Sequence, residues 1–422
     1  MACPIYVCRY VRVRASERNG IVGAPEDMMT FMTKTLRYPL PRLLISVTGG
    51  AADFNLPKEI EDRLKLGLRK AVDSTDAWIV TGGTDCGIMK YVGRAIAEVD
   101  LATGTKSQPR PVIGIATYGV LKARRELESG GRHDGLEAAR VPASKINVGL
   151  DANHNVFFLY DDGSEGKFGR EVELRSIFEQ EITETPFETY NSALPVFQSL
   201  KRIFSVVLVV EGGPGTLSTV KHAIKARTPV LILEGSGRCA DVLAYAWRFL
   251  HDASPSARHF TLSGLRQRIK KMGGKSDSKS LLITQTEVLD VVQASGQVTI
   301  CGALDEHGTS SRSTLDETML ETMLNSQRLE IPEDNKFRAM AKYSMHQRAL
   351  YLSMVFRRAD KAEISLSRLQ NLKRNLSGLS DPRLGGKSQF EVVTQVLQDD
   401  LRGALRWSLL SGNDAFIKML CT

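Results

Sequence analysis

Through the first 240 residues, short unbroken runs of Val, Ile and Leu alternate with longer segments whose apolar positions recur every three to four residues. A strand-length run without polar alternation is one buried on both faces, as in a parallel sheet covered by helices. The pattern predicts strands at 43–49, 77–82, 111–117, 155–160, 205–211 and 229–234. It predicts helices at about 57–73, 86–98, 170–183, 191–202, 216–226 and 238–250. Alternation of this kind implies an α/β, doubly wound, Rossmann-like parallel sheet. The stretch from Tyr118 to Lys145 is polar, glycine-containing and long for a connection in a compact domain, so it reads as a surface insertion.

The rhythm changes near residue 255. Residues 254–280 give one basic helix and then a Gly, Ser and Lys linker, followed by a helix at 284–295 and a strand at 297–304. From Ser313 glycine turns nearly vanish until 377–388, and DETMLETML, MHQRALYLSMVFRRADKAEISL and LRGALRWSLLSGNDAFIKML read as short antiparallel helix pairs of an all-α helical repeat. The expected division is an N-terminal extension (1–42), a Rossmann-like nucleotide-binding domain (43–255), a linker with completing helix and strand elements (256–312) and an α-helical repeat domain (313–422). Because the final apolar helix lacks a polar cap, the repeat is expected to be truncated at its C-terminus.

Four of the strands run into glycine turns: LLISVTGG (43–50), AWIVTGGTDCG (77–87), SVVLVVEGGPGT (205–216) and PVLILEGSG (229–237). A strand, a glycine turn and a helix N-terminus expose backbone N–H groups with no side chain in the way, and the helix dipole favours an anion there. The candidate phosphate ligands are therefore Thr48, Gly49 and Gly50; Thr81, Gly82 and Gly83; Gly212, Gly213, Gly215 and Thr216; and Gly235 and Gly237. Thr48 and Thr81 either hydrogen-bond an anion or satisfy turn backbone. Arg175 and Arg238 offer bidentate guanidinium groups for a diphosphate, or else make inter-helix or surface salt bridges. Phe168 either stacks on a purine or plugs the core. Asp161, Asp162, Glu211 and Glu234 sit at strand C-termini, where ribose hydroxyls are their natural targets.

Composition narrows the classes. At 422 residues, 42% hydrophobic and 25% charged, the chain has the make-up of a globular protein of two or three domains. No run reaches the ~18–20 apolar residues of a membrane helix, and the N-terminus has no signal-peptide core. Cysteines at 3, 8, 86, 239, 301 and 421 form no CxxC pair, and the seven histidines are scattered, which points to a reducing compartment and no metal. The net charge of +8 is dispersed, favouring small anionic ligands over nucleic acid. No paired carboxylates, Ser/His/Asp order or activated Cys commits to catalysis.

The GGPGT turn resembles that of cytosolic LOG-like enzymes that split nucleoside monophosphates, whose pattern PGGxGTxxE ends in a catalytic glutamate. Here Glu211 replaces the first proline and Thr219 stands at the glutamate position, so the resemblance implies a binder made from an enzyme fold. The ordered set LLISVTGGAADFNL, AWIVTGGTDCGIMKYVG, IGIATYG, DANHNVFFLYDDGSEGKFGREVELR, VVEGGPGT and LEGSGRCADVLAY is similar to the N-terminal melastatin homology region (SLOG type) of TRPM cation channels. The resemblance runs from about residue 40 to the end and is greatest to the ADP-ribose-gated branch.

It implies a region at the cytosolic face of a membrane, part of a calcium-permeable, homotetrameric channel. The chain's partners would be the other subunits and its regulatory ligand ADP-ribose or a related adenine nucleotide. It also implies a base-contacting aromatic at Phe168, where the nucleotide-binding branch has tyrosine, and ligand arginines at Arg175 and Arg238. Alanine at either arginine is then expected to abolish binding with the fold intact. The pore lies outside this chain, which by itself conducts no ions. The alternatives are a soluble phosphoribohydrolase and a purely structural assembly domain with an empty site.

Overall fold

The apolar runs become the strands of one eight-stranded sheet, all of whose neighbours are parallel. The computed structural model describes residues 9–14, 24–102, 110–122, 148–185, 203–251, 260–273, 277–293, 296–302, 314–327, 342, 345–346, 348–350, 352–353, 356 and 358–375. The strands are β1 (Arg9–Arg14), β2 (Leu43–Gly49), β3 (Trp78–Thr81), β4 (Val112–Thr117), β5 (Val156–Asp161), β6 (Phe204–Val210), β7 (Val230–Leu233) and β8 (Val298–Cys301). The helices are α1 (Ala24–Thr30), α2 (Lys58–Thr75), α3 (Gly87–Ala102), α4 (Val172–Glu184), α5 (Pro214–Lys225), α6 (Arg238–His251), α7 (Leu262–Met272), α8 (Ser278–Gln293), α9 (Leu315–Gln327) and α10 (Ala359–Asn375).

Strand order is β1-β5-β4-β3-β2-β6-β7-β8. After β2 the chain lays β3, β4 and β5 to one side and then β6, β7 and β8 to the other, so the order reverses between β2 and β6. In an open α/β sheet that reversal leaves a crevice beyond the strand C-termini, the usual ligand position.

Burial explains the lack of alternation. Every residue of β3, β4 and β7 is buried, as is all of β2 but Gly49. Leu44, Trp78, Val80, Ile113, Ile115 and Phe158 pack with Met28 and Met29 of α1 and Leu174, Phe178 and Ile182 of α4. On the other half of the sheet, Val207, Val209, Val230 and Ile232 share a core with Leu217 and Val220 of α5, Leu243 of α6, Leu265 of α7 and Val288 of α8. Each large side chain fully buried in this way contributes ~1.5–3 kcal/mol. Helix α2 buries Ile60, Leu64, Leu68, Ala71 and Val72 at helical spacing and stops at Asp76, whose φ of +49° is left-handed.

Two edge strands lie outside the 43–255 range expected for the sheet. Residues 9–14, read as part of an extension, form β1 beside β5. Its sequence RYVRVR mixes arginines with apolar residues, and none of its residues is fully buried. Arg12 ties it down, pairing with Asp161 at 2.6 Å and lying 4.0 Å over the Tyr118 ring. At the opposite edge β8 pairs with β7. The predicted helix at 191–202, most of the 118–145 insertion and the C-terminal helices beyond 375 lie outside the described residues.

The chain divides into two compact units, residues 1–189 with 202–323, and residues 190–201 with 324–422. Within the second, α10 buries Ala362, Leu366 and Leu369 on one helical face. No described helix is long and apolar enough to cross a membrane.

Candidate functional site

The β2 and β6 turns meet at the point of strand reversal. Gly49 pairs with Val210, and Gly50 N–H donates to the Val210 carbonyl at 3.2 Å. A Cβ on either glycine would collide, with the Val210 carbonyl at Gly49 and with the Glu211 carboxylate at Gly50. After β6 the backbone turns through Glu211 (φ +56°) and Gly212 (φ +92°) and enters α5 at Pro214. Gly213 stands at the N-cap, and a glycine has no side chain to satisfy the N–H groups of the first helical turn. The Thr216 hydroxyl donates to the Gly49 carbonyl at 3.1 Å and accepts from Gly213 N–H at 3.3 Å, which fixes α5 against the β2 turn.

The β7 turn closes the group from the other side. Ser236 accepts from Glu211 N–H at 2.8 Å and donates to the Leu233 carbonyl, while Gly235 N–H donates to Asp241 at 2.7 Å. Burial raises the Asp241 carboxyl above its ordinary value despite that bond. Arg238, at the start of α6 with φ +36°, donates from Nε and Nη2 to the Met272 carbonyl at 3.0 and 2.8 Å. Its Nη1 reaches Glu211 Oε1 at 3.3 Å, and its side chain stays 40% exposed. Basic helix α7 therefore ends against this crevice. Cys239, next to Arg238, is fully buried and its thiol is pushed up to about 12 by burial, so it is inert as a nucleophile.

The structure thus brings together Gly49, Gly50, Gly212, Gly213, Thr216, Gly237 and Arg238. Thr48 is buried at the end of β2, directly before this group, and Gly215 sits in the first turn of α5 with open space around it. The β3 turn joins through Gly87, whose Cβ position is filled by the Gly50 carbonyl. Within that turn Thr81 serves the backbone, accepting from Gly83 N–H at 2.9 Å and meeting His154 Nε2 at 2.7 Å. Gly83 packs on Gly114 of β4, and Gly82 faces Met89 of α3. The N-terminus of α3 is taken by Asp53, which accepts from Gly87 N–H at 3.1 Å.

Two carried-over residues lie elsewhere. Phe168 is 52% exposed in the loop after β5, three strands from β2. Arg175 is buried beneath the sheet. Its Nε pairs with Glu179 at 2.8 Å, and its Nη2 donates to Ser46 Oγ at 2.8 Å and to the Val47 and Val80 carbonyls at 3.0 and 3.2 Å. It lines a cleft of about 430 Å³ between α4 and α5 with Ser46, Glu179, Thr219 and His222, alongside the first halves of β2 and β6. Thr219 donates to the Gly215 carbonyl at 3.3 Å, a helix-internal bond.

Nor are the strand-end acids free for ribose. Glu234 is held by Arg248 at 3.0 and 2.6 Å, and Asp161 by Arg12. Asp162 accepts from Ser164 and Arg170, which hold its carboxyl well below the usual carboxylate range. Sequence reasoning missed Ser236, the end of α7 and the position taken by the Glu211 side chain. Only the serine carried a local signal, as the polar residue inside EGSG.

A family profile described as "SLOG in TRPM" matches residues 9–289. The chain is 39% identical over 226 residues to a "Transient receptor potential cation channel subfamily M member-like 2" of Nematostella vectensis, covering 52% of this chain and 14% of that protein. It is 32% identical over 328 residues to member 2 of the same subfamily from Mus musculus, covering 76% and 20%. It is 31% identical over 334 residues to "Transient receptor potential cation channel trpm" of Drosophila melanogaster, covering 77% and 15%. The match thus spans between 14 and 20% of the length of these relatives. By the family match across most of its length, with the eight-stranded parallel sheet that carries the glycine turns, the chain belongs to the SLOG domains of TRPM channels.

Proposed function

We propose that this chain is the nucleotide-sensing N-terminal region of a melastatin-type, calcium-permeable cation channel. It lies at the cytosolic face of the membrane and assembles with the other subunits of a homotetramer. The ligand is ADP-ribose or a related adenine nucleotide, and its phosphates lie against the Gly212–Thr216 turn and Arg238. One observation carries this reading: the β2, β6 and β7 glycine turns converge at the strand reversal, on a helix whose N-cap is a glycine, beside a half-exposed arginine. Backbone N–H groups, a helix dipole and a guanidinium together form an anion site.

Binding acts by population shift: a ligand preferring one arrangement of the turns stabilises it by its differential affinity, and the helical repeats pass that bias toward the pore. Thr219 favours sensing over catalysis, because a threonine hydroxyl committed to the Gly215 carbonyl cannot act as a general base. Calorimetric titration with ADP-ribose and AMP tests the reading. Saturable binding without release of adenine is the expected result. Steady adenine release from AMP would instead establish a phosphoribohydrolase, and absence of any binding would leave an assembly domain.

A further inference from the structure

The Glu211 side chain stands where the anion site should be open. Its Oε2 accepts the Gly212 N–H at 2.5 Å, and its Oε1 faces Arg238 Nη1 at 3.3 Å. The carboxylate fills the space a Cβ on Gly50 would take, and its Cγ lies 3.3 Å from the Cβ position of Gly237. It is thus in contact with all three glycine turns of the crevice, with its side chain 8% exposed. A backbone N–H at a glycine turn and an arginine are the donors a phosphate recruits, and both are engaged by a resident carboxylate.

We propose that Glu211 is an internal competitor for the anion position, so that a nucleotide phosphate binds only by displacing its carboxylate from Gly212 N–H and Arg238. This rests on the reading of the crevice as a nucleotide site and adds its regulation. The site is self-neutralised when empty, and Glu211 sets the threshold for occupancy. Weakly charged ligands are rejected because they cannot replace a full carboxylate on Arg238, whereas a diphosphate brings enough charge to do so.

The competing account, a carboxylate that holds ribose hydroxyls, makes the opposite prediction. Glu211→Gln keeps an oxygen for Gly212 N–H and removes the charge. If Glu211 competes, this variant binds both ADP-ribose and inorganic pyrophosphate about tenfold more tightly than wild type, as loss of a like charge beside a bound anion requires. Glu211→Ala shifts both in the same direction and guards against an effect peculiar to the amide. Thermal melts establish that each variant is folded. Wild-type binding that Glu211→Gln leaves unchanged, or weakens for ADP-ribose alone, overturns the proposal while the nucleotide reading stands. Failure of wild type and both folded variants to bind either probe overturns both.

Discussion

Gly212 and Gly215 stand three residues apart in one turn, and the structure gives them opposite tolerance for a methyl group. A Cβ on Gly212 would lie 2.5 Å from Thr216 Oγ1 and 2.7 Å from Thr216 Cβ and Cγ2, where carbon atoms normally rest ~3.5–4.0 Å apart. Thr216 cannot yield freely, because its hydroxyl bonds the Gly49 carbonyl and Gly213 N–H. Relieving the clash sacrifices those bonds at ~1 kcal/mol each, and holding an L-residue at φ +92° adds ~1–3 kcal/mol. Gly212→Ala should therefore cost roughly 3–5 kcal/mol. Gly215 has nothing within 4 Å of its Cβ position and lies in the first turn of α5, so Gly215→Ala should be neutral or stabilise by ~0.5–1 kcal/mol. Urea denaturation of the two variants beside wild type measures both. A Gly212→Ala variant within ~1 kcal/mol of Gly215→Ala would refute the turn geometry on which the site rests. Gly215→Ala then becomes a probe of function, since its methyl group stands at the α5 N-terminus in an undamaged fold and should weaken ADP-ribose binding.

Three further outcomes follow from particular contacts. Arg175→Ala removes a buried guanidinium that pairs with Glu179 and bonds Ser46 and the Val47 and Val80 carbonyls, and should destabilise by ~3–5 kcal/mol in chemical denaturation, so lost nucleotide binding in this variant reports a damaged fold. Phe158→Ala removes a ring packed on Phe31 and Phe178 and should cost ~3–5 kcal/mol by the same assay. Asp162, depressed by its Ser164 and Arg170 hydrogen bonds, contributes stability that is fully present above the unfolded carboxyl value near pH 4 and is lost as pH falls through the folded value. The stability gap between wild type and Asp162→Asn should accordingly be constant from pH 7 to about 5 and close below about 4, as followed by urea midpoints at each pH.

Most of the sheet was legible because its strands carry their burial in their own composition. β2, β3, β6 and β7 read as continuous apolar runs ending in glycine, and the observed strands fall within two residues of the expected bounds. β1 was not read as a strand: RYVRVR was placed in the N-terminal extension, because an edge strand far ahead of its partner β5 carries no local sign of pairing. The convergence of the glycine turns followed from the doubly wound pattern, since ligands gather where strand order reverses.

The role of Arg175 was not legible. Its partners Ser46, Val47 and Val80 are 95–129 residues away in sequence, so only the fold shows that the guanidinium braces α4 against β2 and β3. This alters the expected test: the 8%-exposed Arg175 is part of the scaffold, while Arg238, with 40% of its side chain exposed, is the cleaner probe. Glu211 shows the same limit. Its place at a strand end suggested ribose, but its positive φ turns the carboxylate back onto Gly212 N–H and Arg238.

The account's central claim is that the crevice binds a nucleotide through Arg238. Calorimetric titration of the chain and of Arg238→Ala with ADP-ribose, each first shown to melt cooperatively, tests it directly. The account predicts saturable binding by wild type and loss of at least tenfold in affinity in the variant, as expected when a charge-assisted contact worth ~1.5–3 kcal/mol is removed. Equal affinity in the two proteins, or no binding by folded wild type, would contradict it.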